Sequence, residues 1–321
     1  MRDGAGQSRG HDGETAGGQG LMGRQIQPKQ QGREDQTAAD SQQTGQPSGE
    51  QSQSDEQGIV PPGQHGFSEN MITSMTSDAP RGRLLPMLCA DGPWQMALDQ
   101  MLLEQTDPGP VLRFYRWSGA WLSLGRHQRQ WPDHWRDLAA EGHLSIVRRP
   151  SGGQAVLHAG GLTYALIWPG APRQRRQAYR EACHWLIEGF RSLGDELRFG
   201  DEAATGEDAN CFARSTVADL VDGRGIKRIG SAQRWQRGRL LQHGEILLDP
   251  PADLWRAVFL ETTPAPAAAA IPRRGLEQHL FLALQRQWPE LGWSEQPLTT
   301  VERQELELRV SVSAACIDST T

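Results

Sequence analysis

The sequence predicts an α/β or α+β domain that follows a long polar segment. Short runs in which apolar and polar residues alternate are typical of strands, and longer runs with apolar residues at every third or fourth position are typical of helices. The two kinds of run are interleaved along the chain, with no internal repeat. The chain has 321 residues, and the apolar pattern begins near Leu84. It leaves about 210–240 residues, enough for one domain with a sizeable core.

The first 80 residues differ in composition from the rest of the chain. Residues 1–80 are rich in Gln, Gly, Ser, Asp and Glu and have few aromatic or branched apolar side chains. Such a segment cannot bury enough apolar surface to offset the chain entropy lost on folding. We therefore expect a disordered tail over residues 1–80 and a folded domain over residues 84–262. A linker, a helix and a C-terminal tail are expected over residues 263–321.

The first half of the folded domain begins with a capped helix. Asp91 can accept a hydrogen bond at the N-terminus, and Pro93 suits the first helical turn because it has no N–H to satisfy. An apolar face then continues to Glu104. The expected elements that follow are strands over residues 111–117 and 121–124, a helix over 132–141, a strand over 145–148, strands over 155–158 and 162–168 that form a hairpin around Gly160 and Gly161, and an amphipathic helix over 174–193.

The second half of the domain contains strands, then helices. Asp222-Gly223-Arg224-Gly225 predicts a turn between two of the strands. From about Pro297 the pattern is weak, and we expect the end of the chain to fray. The expected elements are strands over residues 217–221, 228–233 and 245–248, a helix over 251–260, a Pro/Ala linker over 264–270, and a helix over 274–288.

Composition excludes several functional classes. The net charge of −6 argues against a general nucleic-acid-binding protein. The four cysteines are scattered, without a C-x-x-C pair or a short metal-ligand spacing, so we expect free thiols, a reducing compartment and no metal site. No apolar run reaches the ~18–20 residues that a membrane span needs. The N-terminus lacks a secretory signal pattern, so we expect a cytoplasmic protein.

A glycine turn after a predicted strand is the first candidate site. Residues 148–158 read RRPSGGQAVLH. Gly152 and Gly153 would let backbone N–H groups approach an anionic or polar oxygen. Arg149 beside them could pair with a carboxylate or phosphate through two nitrogens. From the residues alone, a plain turn with a surface arginine pair explains this stretch equally well.

A lysine-bearing strand is the second candidate site. Residues 227–233 read KRIGSAQ, and Gln242-His243-Gly244 follows after a turn. The small side chains of Ser231 and Ala232 would leave room for a ligand. Lys227 could polarise a carbonyl oxygen, or act as a base if burial lowers its pKa. Taken singly, an exposed edge-strand lysine and a structural His243 are the more common cases.

Cys211, in the sequence Asn210-Cys211-Phe212, is the third candidate. A cysteine can act as an acyl nucleophile where its thiolate is stabilised. Considered alone, a buried and inert cysteine is the more common case.

These stretches together, in this order, resemble the lipoate-protein ligase A / octanoyltransferase family. The resemblance runs from about Asp91 to Leu260 and is closest to the cysteine-type octanoyltransferases. The matching motifs are RxSGGxAVxH over residues 149–158, GLTY over 161–164, KxxGSAQ over 227–233, LQHG over 241–244 and ILL over 246–248, with MALD over 96–99, Trp117 and LSLGR over 122–126 upstream.

The resemblance implies a fold similar to that of biotin-protein ligases, with a mixed, mainly antiparallel sheet and flanking helices. It makes residues 84–262 the catalytic domain. Members bind lipoate or octanoate in a tunnel and transfer it to one lysine of a lipoyl carrier domain, such as the H protein or a 2-oxoacid dehydrogenase subunit. The implied acyl donor is an acyl carrier protein. We expect a monomer that binds neither nucleic acid nor membrane.

Three positions favour a transferase over a ligase. Ligases of this family typically have a third glycine and an Asp where this chain has Gln154 and Ala159, although Ala159 departs from both subgroups. Cys211, with Phe212 and Ser215 after it, matches the segment that holds the acyl nucleophile of cysteine-type transferases. The resemblance therefore implies that Cys211 forms the thioester, that Lys227 stabilises its thiolate or the oxyanion, and that no cofactor is needed.

The resemblance also implies which residues hold the substrate. They lie in the glycine turn, in the lysine strand and in the strand that follows: Arg149, Ser151, Gly152, Gly153, Gln154, His158, Gly230, Ser231, Ala232, Gln233, His243 and Gly244.

Three alternatives remain open. The first is a ligase that forms lipoyl-AMP and needs ATP and Mg²⁺. The second is a non-catalytic acyl-binding protein, against which the presence of Cys211 and Lys227 argues. The third is a biotin-protein ligase, which is disfavoured because the chain lacks a Gly-Arg-Gly-Arg loop.

Overall fold

The computed structural model describes residues 81–200, 211–212 and 218–318, with side chains up to residue 312. The predicted tail over residues 1–80, the start of the expected strand over 217–221, and Ser215 lie outside the described residues. Within the described part the elements are β1 (Arg83–Ala90), α1 (Gly92–Glu104), β2 (Val111–Trp117), β3 (Trp121–Leu124), α2 (His134–Ala140), β4 (Ser145–Arg148), β5 (Val156–His158), β6 (Leu162–Pro169), α3 (Arg175–Ser192), β7 (Arg198–Phe199), β8 (Leu220–Val221), β9 (Lys227–Gln236), β10 (Arg239–Ile246), α4 (Ala252–Phe259), α5 (Leu276–Gln287), β11 (Ser294–Glu295) and α6 (Thr300–Asp318).

The strands form two sheets. The larger sheet has the order β11-β1-β2-β6-β10-β9-β8-β7, and the smaller has the order β4-β3-β5. In the larger sheet β1 pairs in parallel with β11 and β2, whereas the pairs from β2 through β7 are antiparallel. The predicted fold, a mixed and mainly antiparallel sheet with flanking helices, is confirmed.

The two faces of the larger sheet pack against different partners. On one face, Phe114 and Tyr164 pack with Trp185 of α3 and Leu280 of α5 in the largest apolar cluster. On the other face, Tyr115 and its neighbours pack with α1. Because side chains alternate along a strand, each central strand contributes to both clusters. Each fully buried large apolar side chain stabilises this arrangement by roughly 1.5–3 kcal/mol.

The start of α1 agrees with the sequence prediction. The Asp91 carboxylate accepts a hydrogen bond from the Trp94 N–H at 2.9 Å, and Pro93 lies in the first turn. The cap fixes where α1 begins, and so where its buried face meets the larger sheet.

The predicted hairpin over residues 155–158 and 162–168 is wrong. Val156–His158 pairs with β3 in the smaller sheet, whereas Leu162–Pro169 pairs with β2 and β10 in the larger sheet. Between them Gly160 has φ +73°, and its carbonyl accepts a hydrogen bond from the Asp249 N–H at 2.9 Å. The glycine pair therefore carries the chain from one sheet to the other. Local alternation cannot distinguish this crossing from a tight turn.

The C-terminal prediction is also wrong, because residues Thr300–Asp318 form α6. The Glu302 N–H donates to the Thr299 hydroxyl at 3.2 Å, and the Glu302 carboxylate accepts from the Thr299 N–H at 2.8 Å. This reciprocal arrangement is a capping box, which T-x-x-E encodes in the sequence. Leu306 is fully buried in the α1 cluster, so the helix is held by packing despite its weak periodicity.

Other predicted boundaries also differ from the structure. The strand expected over residues 245–248 begins at Arg239, because its polar residues Gln242 and His243 are buried and hydrogen-bonded rather than exposed. The helix expected over residues 132–141 is shorter, His134–Ala140. None of the described helices is both long and apolar enough to span a bilayer.

Candidate functional site

A cavity lies between the two sheets, and together with its open mouth it measures about 450 Å³. Strands β2, β6, β9 and β10 form its floor, α1 contributes Met96, and β3, β5 and the glycine turn cover it. Its lining residues are Met96, Tyr115, Trp117, Ser123, Arg149, Gly153, Val156, His158, Thr163, Cys211, Gly230, Ser231, Ala232, His243, Gly244 and Glu245.

Cys211 and Lys227 meet at one end of this cavity. The Lys227 Nζ lies 2.6 Å from the Cys211 carbonyl oxygen and 3.5 Å from its Sγ. The same ammonium pairs with the Asp219 carboxylate at 2.9 Å, and both side chains are about 4% exposed. The Cys211 N–H donates to the Ala155 carbonyl at 2.9 Å. A lysine ammonium held beside a half-buried thiol can stabilise the thiolate form.

Gly230 leaves the space that Lys227 occupies. A Cβ at this position would lie 3.0 Å from the Lys227 Cε and 3.5 Å from the Phe212 ring. A larger residue would therefore press on the lysine and on the ring beside it. The small residues of the KRIGSAQ strand were predicted to leave room for a ligand; at Gly230 part of that room is taken by the neighbouring lysine.

Arg149 serves a different purpose from the one its sequence suggested. Its Nη1 donates to the Ser123 carbonyl at 2.8 Å, and its Nη2 donates to the Gly152 and Gln154 carbonyls, each at 2.7 Å. Burial lowers the pKa of this guanidinium. Because the guanidinium is used to fold the glycine turn over the cavity, a two-pronged pair with a substrate carboxylate or phosphate does not fit.

His158 belongs to a buried hydrogen-bonded chain at the wall of the cavity. Its Nδ1 donates to the Glu245 carboxylate at 2.8 Å, and its Nε2 accepts from the Ser123 hydroxyl at 2.8 Å. The ring stacks on Trp117 with centroids 4.0 Å apart. Burial lowers the pKa of His158, and the nearby Glu245 carboxylate opposes that effect. The imidazole is therefore neutral at pH 7 and fixes one wall.

His243 belongs to a second buried chain. Its Nδ1 donates to the Asp99 carboxylate at 2.7 Å, and its Nε2 faces the Ser151 hydroxyl. Asp99 also accepts from Arg113 at 3.0 Å and from Tyr115 at 3.2 Å, and burial raises the pKa of the Tyr115 hydroxyl well above its usual value. This chain ties α1, β2, β10 and the glycine turn together.

The structure brings most of the predicted site residues to one cavity. Those that line it are Arg149, Gly153, His158, Cys211, Gly230, Ser231, Ala232, His243 and Gly244.

The other predicted residues lie around the cavity. Lys227 reaches it through Cys211, and Ser151 through His243. Gly152 and Gln154 contribute the carbonyl groups that hold Arg149. Gln233 points away, because it bonds Gln242 at 2.8 Å on the sheet face that packs against α3.

Several polar residues of the site escaped the sequence reasoning. Glu245 and Thr163 join His158 to Trp117, and Asp219 pairs with Lys227. Glu245 carried a signal, since a charged residue in the run LQHGEILL must be paired if it is buried. Asp99 was noted in the sequence only as the last residue of the MALD motif, and no role was predicted for it. Asp219 gives no local signal, because its partner is eight residues away across a strand pair.

A second internal cysteine lies on the opposite face of the larger sheet. Cys183 of α3 is fully buried and its sulfur accepts from the Gln242 amide at 3.2 Å. Burial raises the pKa of this thiol to about 12. It is therefore a packing residue, unlike Cys211 at the cavity wall.

Comparison with known proteins finds sequence relatives of this chain. Residues 91–271 match the family model of the lipoyl protein ligase A/B catalytic domain. "Octanoyltransferase LipM" of Lysinibacillus sphaericus is 38% identical over 181 residues, covering 52% of this chain and 65% of that protein. The enzyme of the same name from Kyrpidia tusciae is 35% identical over 212 residues, covering 61% and 76%. The chain thus spans less than two thirds of the first relative and somewhat more of the second.

Solved structures share the fold. A putative lipoate protein ligase from T. acidophilum with bound lipoic acid has a TM-score of 0.60 at 20% identity, covering 71% of this chain and 93% of that one. A lipoate-protein ligase A bound with ATP has a TM-score of 0.60 at 19% identity, covering 72% and 94%. The resemblance expected from the motifs is confirmed: the chain belongs to the lipoyl protein ligase A/B catalytic domain family.

Proposed function

We propose that the protein transfers an octanoyl group to a lysine of a lipoyl carrier domain through a thioester on Cys211. The observation that carries the proposal is the Cys211 Sγ at the cavity wall, 3.5 Å from the Lys227 Nζ. Relatives named octanoyltransferase, at 35–38% identity, support the same chemistry. The proposed donor is an octanoyl acyl carrier protein, and the protein acts as a cytoplasmic monomer.

In the first half-reaction Cys211 reacts as a thiolate beside the Lys227 ammonium. The thiolate attacks the carbonyl carbon of the donor thioester, and a new C–S bond forms. The C–S bond to the carrier then breaks, and the leaving thiolate takes the proton from the Lys227 ammonium. Asp219, paired with Lys227, holds the lysine side chain beside the reacting sulfur throughout.

In the second half-reaction the amine of the acceptor lysine attacks the acyl-Cys211 carbonyl carbon. Lys227, now neutral, accepts the proton that the attacking nitrogen loses, and the C–S bond to Cys211 breaks. The products are an amide on the carrier domain and the Cys211 thiolate beside the Lys227 ammonium. The thioester supplies the activation, so the proposal needs neither ATP nor Mg²⁺.

Intact-mass analysis tests the proposal directly. The full chain is incubated with octanoyl acyl carrier protein, and an octanoyl adduct is located by peptide mapping. We expect the adduct on Cys211, and its discharge to a lipoyl domain without ATP. The Cys89→Ser variant is the matched control, because Cys89 is exposed and outside the cavity; it should acquire the same adduct.

The competing function is a lipoate-protein ligase, which the structural neighbours favour by their names. Acylation of the lipoyl domain only with free lipoate, ATP and Mg²⁺, and with no adduct on Cys211, would replace the transferase by the ligase. Acyl binding without transfer under either condition would indicate a non-catalytic binding protein.

A further inference from the structure

The cavity ends against a second space with which it shares part of its wall. That space is an open groove of about 1510 Å³ between α1, the smaller sheet and the far part of β9. Its apolar lining includes Ala97, Leu124 and Ile146, and Arg234 lies at its rim. Met96 and Arg149 line both the groove and the cavity, so these two side chains separate them.

Strand β9 gives the direction of the cavity. Gly230 lies beside Lys227 at the Cys211 end, Ala232 lines the middle of the cavity, and Arg234 lies at the groove. These alternate residues point to the same sheet face. Four residues of strand cover about 13 Å, so the part of the groove at Arg234 lies about that far from Gly230.

An acyl chain on Cys211 would follow this direction. An extended eight-carbon chain measures roughly 9 Å with C–C bonds of about 1.5 Å, which places its methyl end near the wall shared by the two spaces. We infer that Met96 closes the cavity at the end away from Cys211 and thereby sets the acyl chain length. This inference rests on the proposed acyl transfer.

Met96 and Arg149 differ in how they can respond to a longer chain. Arg149 donates hydrogen bonds to the carbonyl groups of Ser123, Gly152 and Gln154, so its position is fixed by the glycine turn. Met96 is 6% exposed, and its unbranched thioether fills space without a hydrogen bond. The side chain of Met96 is therefore the part of the wall whose size determines the length of the cavity.

Two substitutions change that length in opposite directions. Met96→Ala removes the atoms beyond Cβ and joins the cavity to the groove, where the apolar side chains of Ala97, Leu124 and Ile146 can take further methylenes. Met96→Phe adds volume and shortens the cavity. Each methylene in such a pocket changes selectivity about tenfold or more.

The test compares the rates at which hexanoyl, octanoyl and dodecanoyl acyl carrier protein load Cys211. We expect the unaltered protein to prefer octanoyl over dodecanoyl, and Met96→Ala to raise the dodecanoyl-to-octanoyl ratio about tenfold or more. Met96→Phe should lower the octanoyl-to-hexanoyl ratio. Met101→Ala is the matched control, because Met101 is buried in the same helix and cluster and lines neither space.

The outcomes separate this inference from the proposed function. Absence of any Cys211 adduct in the unaltered protein would overturn acyl transfer itself. Normal octanoyl loading with an unchanged chain-length profile in both Met96 variants, or the same shift in Met101→Ala, would overturn the role of Met96. If Met96→Ala fails to fold, Met96→Phe alone decides, because its expected shift has the opposite sign.

Discussion

The two ends of the cavity are built differently. At the Ser151 end, His243 and Asp99 are joined to each other and to Arg113 and Tyr115 by buried hydrogen bonds. At the Cys211 end, the half-buried thiol has the Lys227 ammonium 3.5 Å from its sulfur. The first end is a rigid wall whose polar groups satisfy one another. The second end presents a thiol sulfur to the cavity, with a charged group beside it.

The difference implies a division of roles. Substitutions at the Cys211 end should remove the chemistry, and those at the His243 end should mainly loosen the structure that shapes the cavity. Measurements of transfer and of stability on the same variants test this division.

The largest effect is expected from Cys211→Ser. Octanoyl transfer should fall by roughly 10³-fold or more, because the hydroxyl is a much weaker nucleophile without a base designed for it. Stability in urea should change by less than about 1 kcal/mol, since the substitution is nearly isosteric. Retention of full transfer would show that no thioester forms at this residue.

Lys227→Met should lower transfer by roughly 10²-fold or more, because the group that moves the proton is lost. It should also destabilise the protein by about 3–5 kcal/mol, since Asp219 is left buried without its cation. The double variant with Asp219→Asn separates the two effects. We expect it to recover much of the stability but none of the activity; recovery of both would make Lys227 a structural residue only.

His243→Ala should have its main effect on stability. Loss of the imidazole leaves the buried Ser151 hydroxyl and part of the Asp99 carboxylate unsatisfied, at a cost of about 2–4 kcal/mol. At a temperature where the variant is folded, transfer should fall by less than about tenfold. The exposed His143→Ala is the control and should change neither property. A loss of transfer as large as that of Lys227→Met would contradict the division of roles.

The smallest effect is expected outside both ends, at Glu302. Its carboxylate pairs with Arg83 at 2.7 Å, and hydrogen bonds from Arg83 chiefly lower its pKa to about 2. A lowered folded-state pKa stabilises the protein above the unfolded value of about 4.5, and this contribution is lost as the pH falls towards 2. Glu302→Gln should cost roughly 1–2 kcal/mol at pH 7 and flatten the fall in stability between pH 5 and 3 in urea titrations, with transfer at pH 7 unchanged.

The sequence predicted the fold class correctly but not every strand connection within it. Glycines, a lysine and a cysteine in a fixed order pointed to Cys211, Lys227 and the glycine turn, and the structure places these residues around one cavity. The hairpin over residues 155–168 was wrong because the choice between a turn and a crossing is made by distant partners, β3 for one strand and β10 for the other. Strand pairing over such distances leaves no local pattern.

The direction in which a side chain points was the second feature that the sequence did not predict. Arg149 has the residue type of an anion ligand, whereas in the structure its nitrogens hold the glycine turn. The T-x-x-E capping box at Thr299 and Glu302 is visible in the sequence and predicts the start of α6. The sequence does not predict the partners of Asp99 and Glu245, because those partners lie far from them along the chain.

The position of Cys183 has a consequence for thiol reagents. The larger sheet separates this thiol from the cavity, and with a pKa of about 12 it is almost wholly un-ionised at pH 8. A maleimide or a dilute peroxide should therefore react with the exposed Cys89 and with Cys211 and spare Cys183 until the protein unfolds. An octanoyl group on Cys211 would then protect that residue from alkylation, so the loading of Cys211 could be followed by the thiol reactivity of the protein. The appearance of Cys183 among the labelled residues would report unfolding in the same experiment.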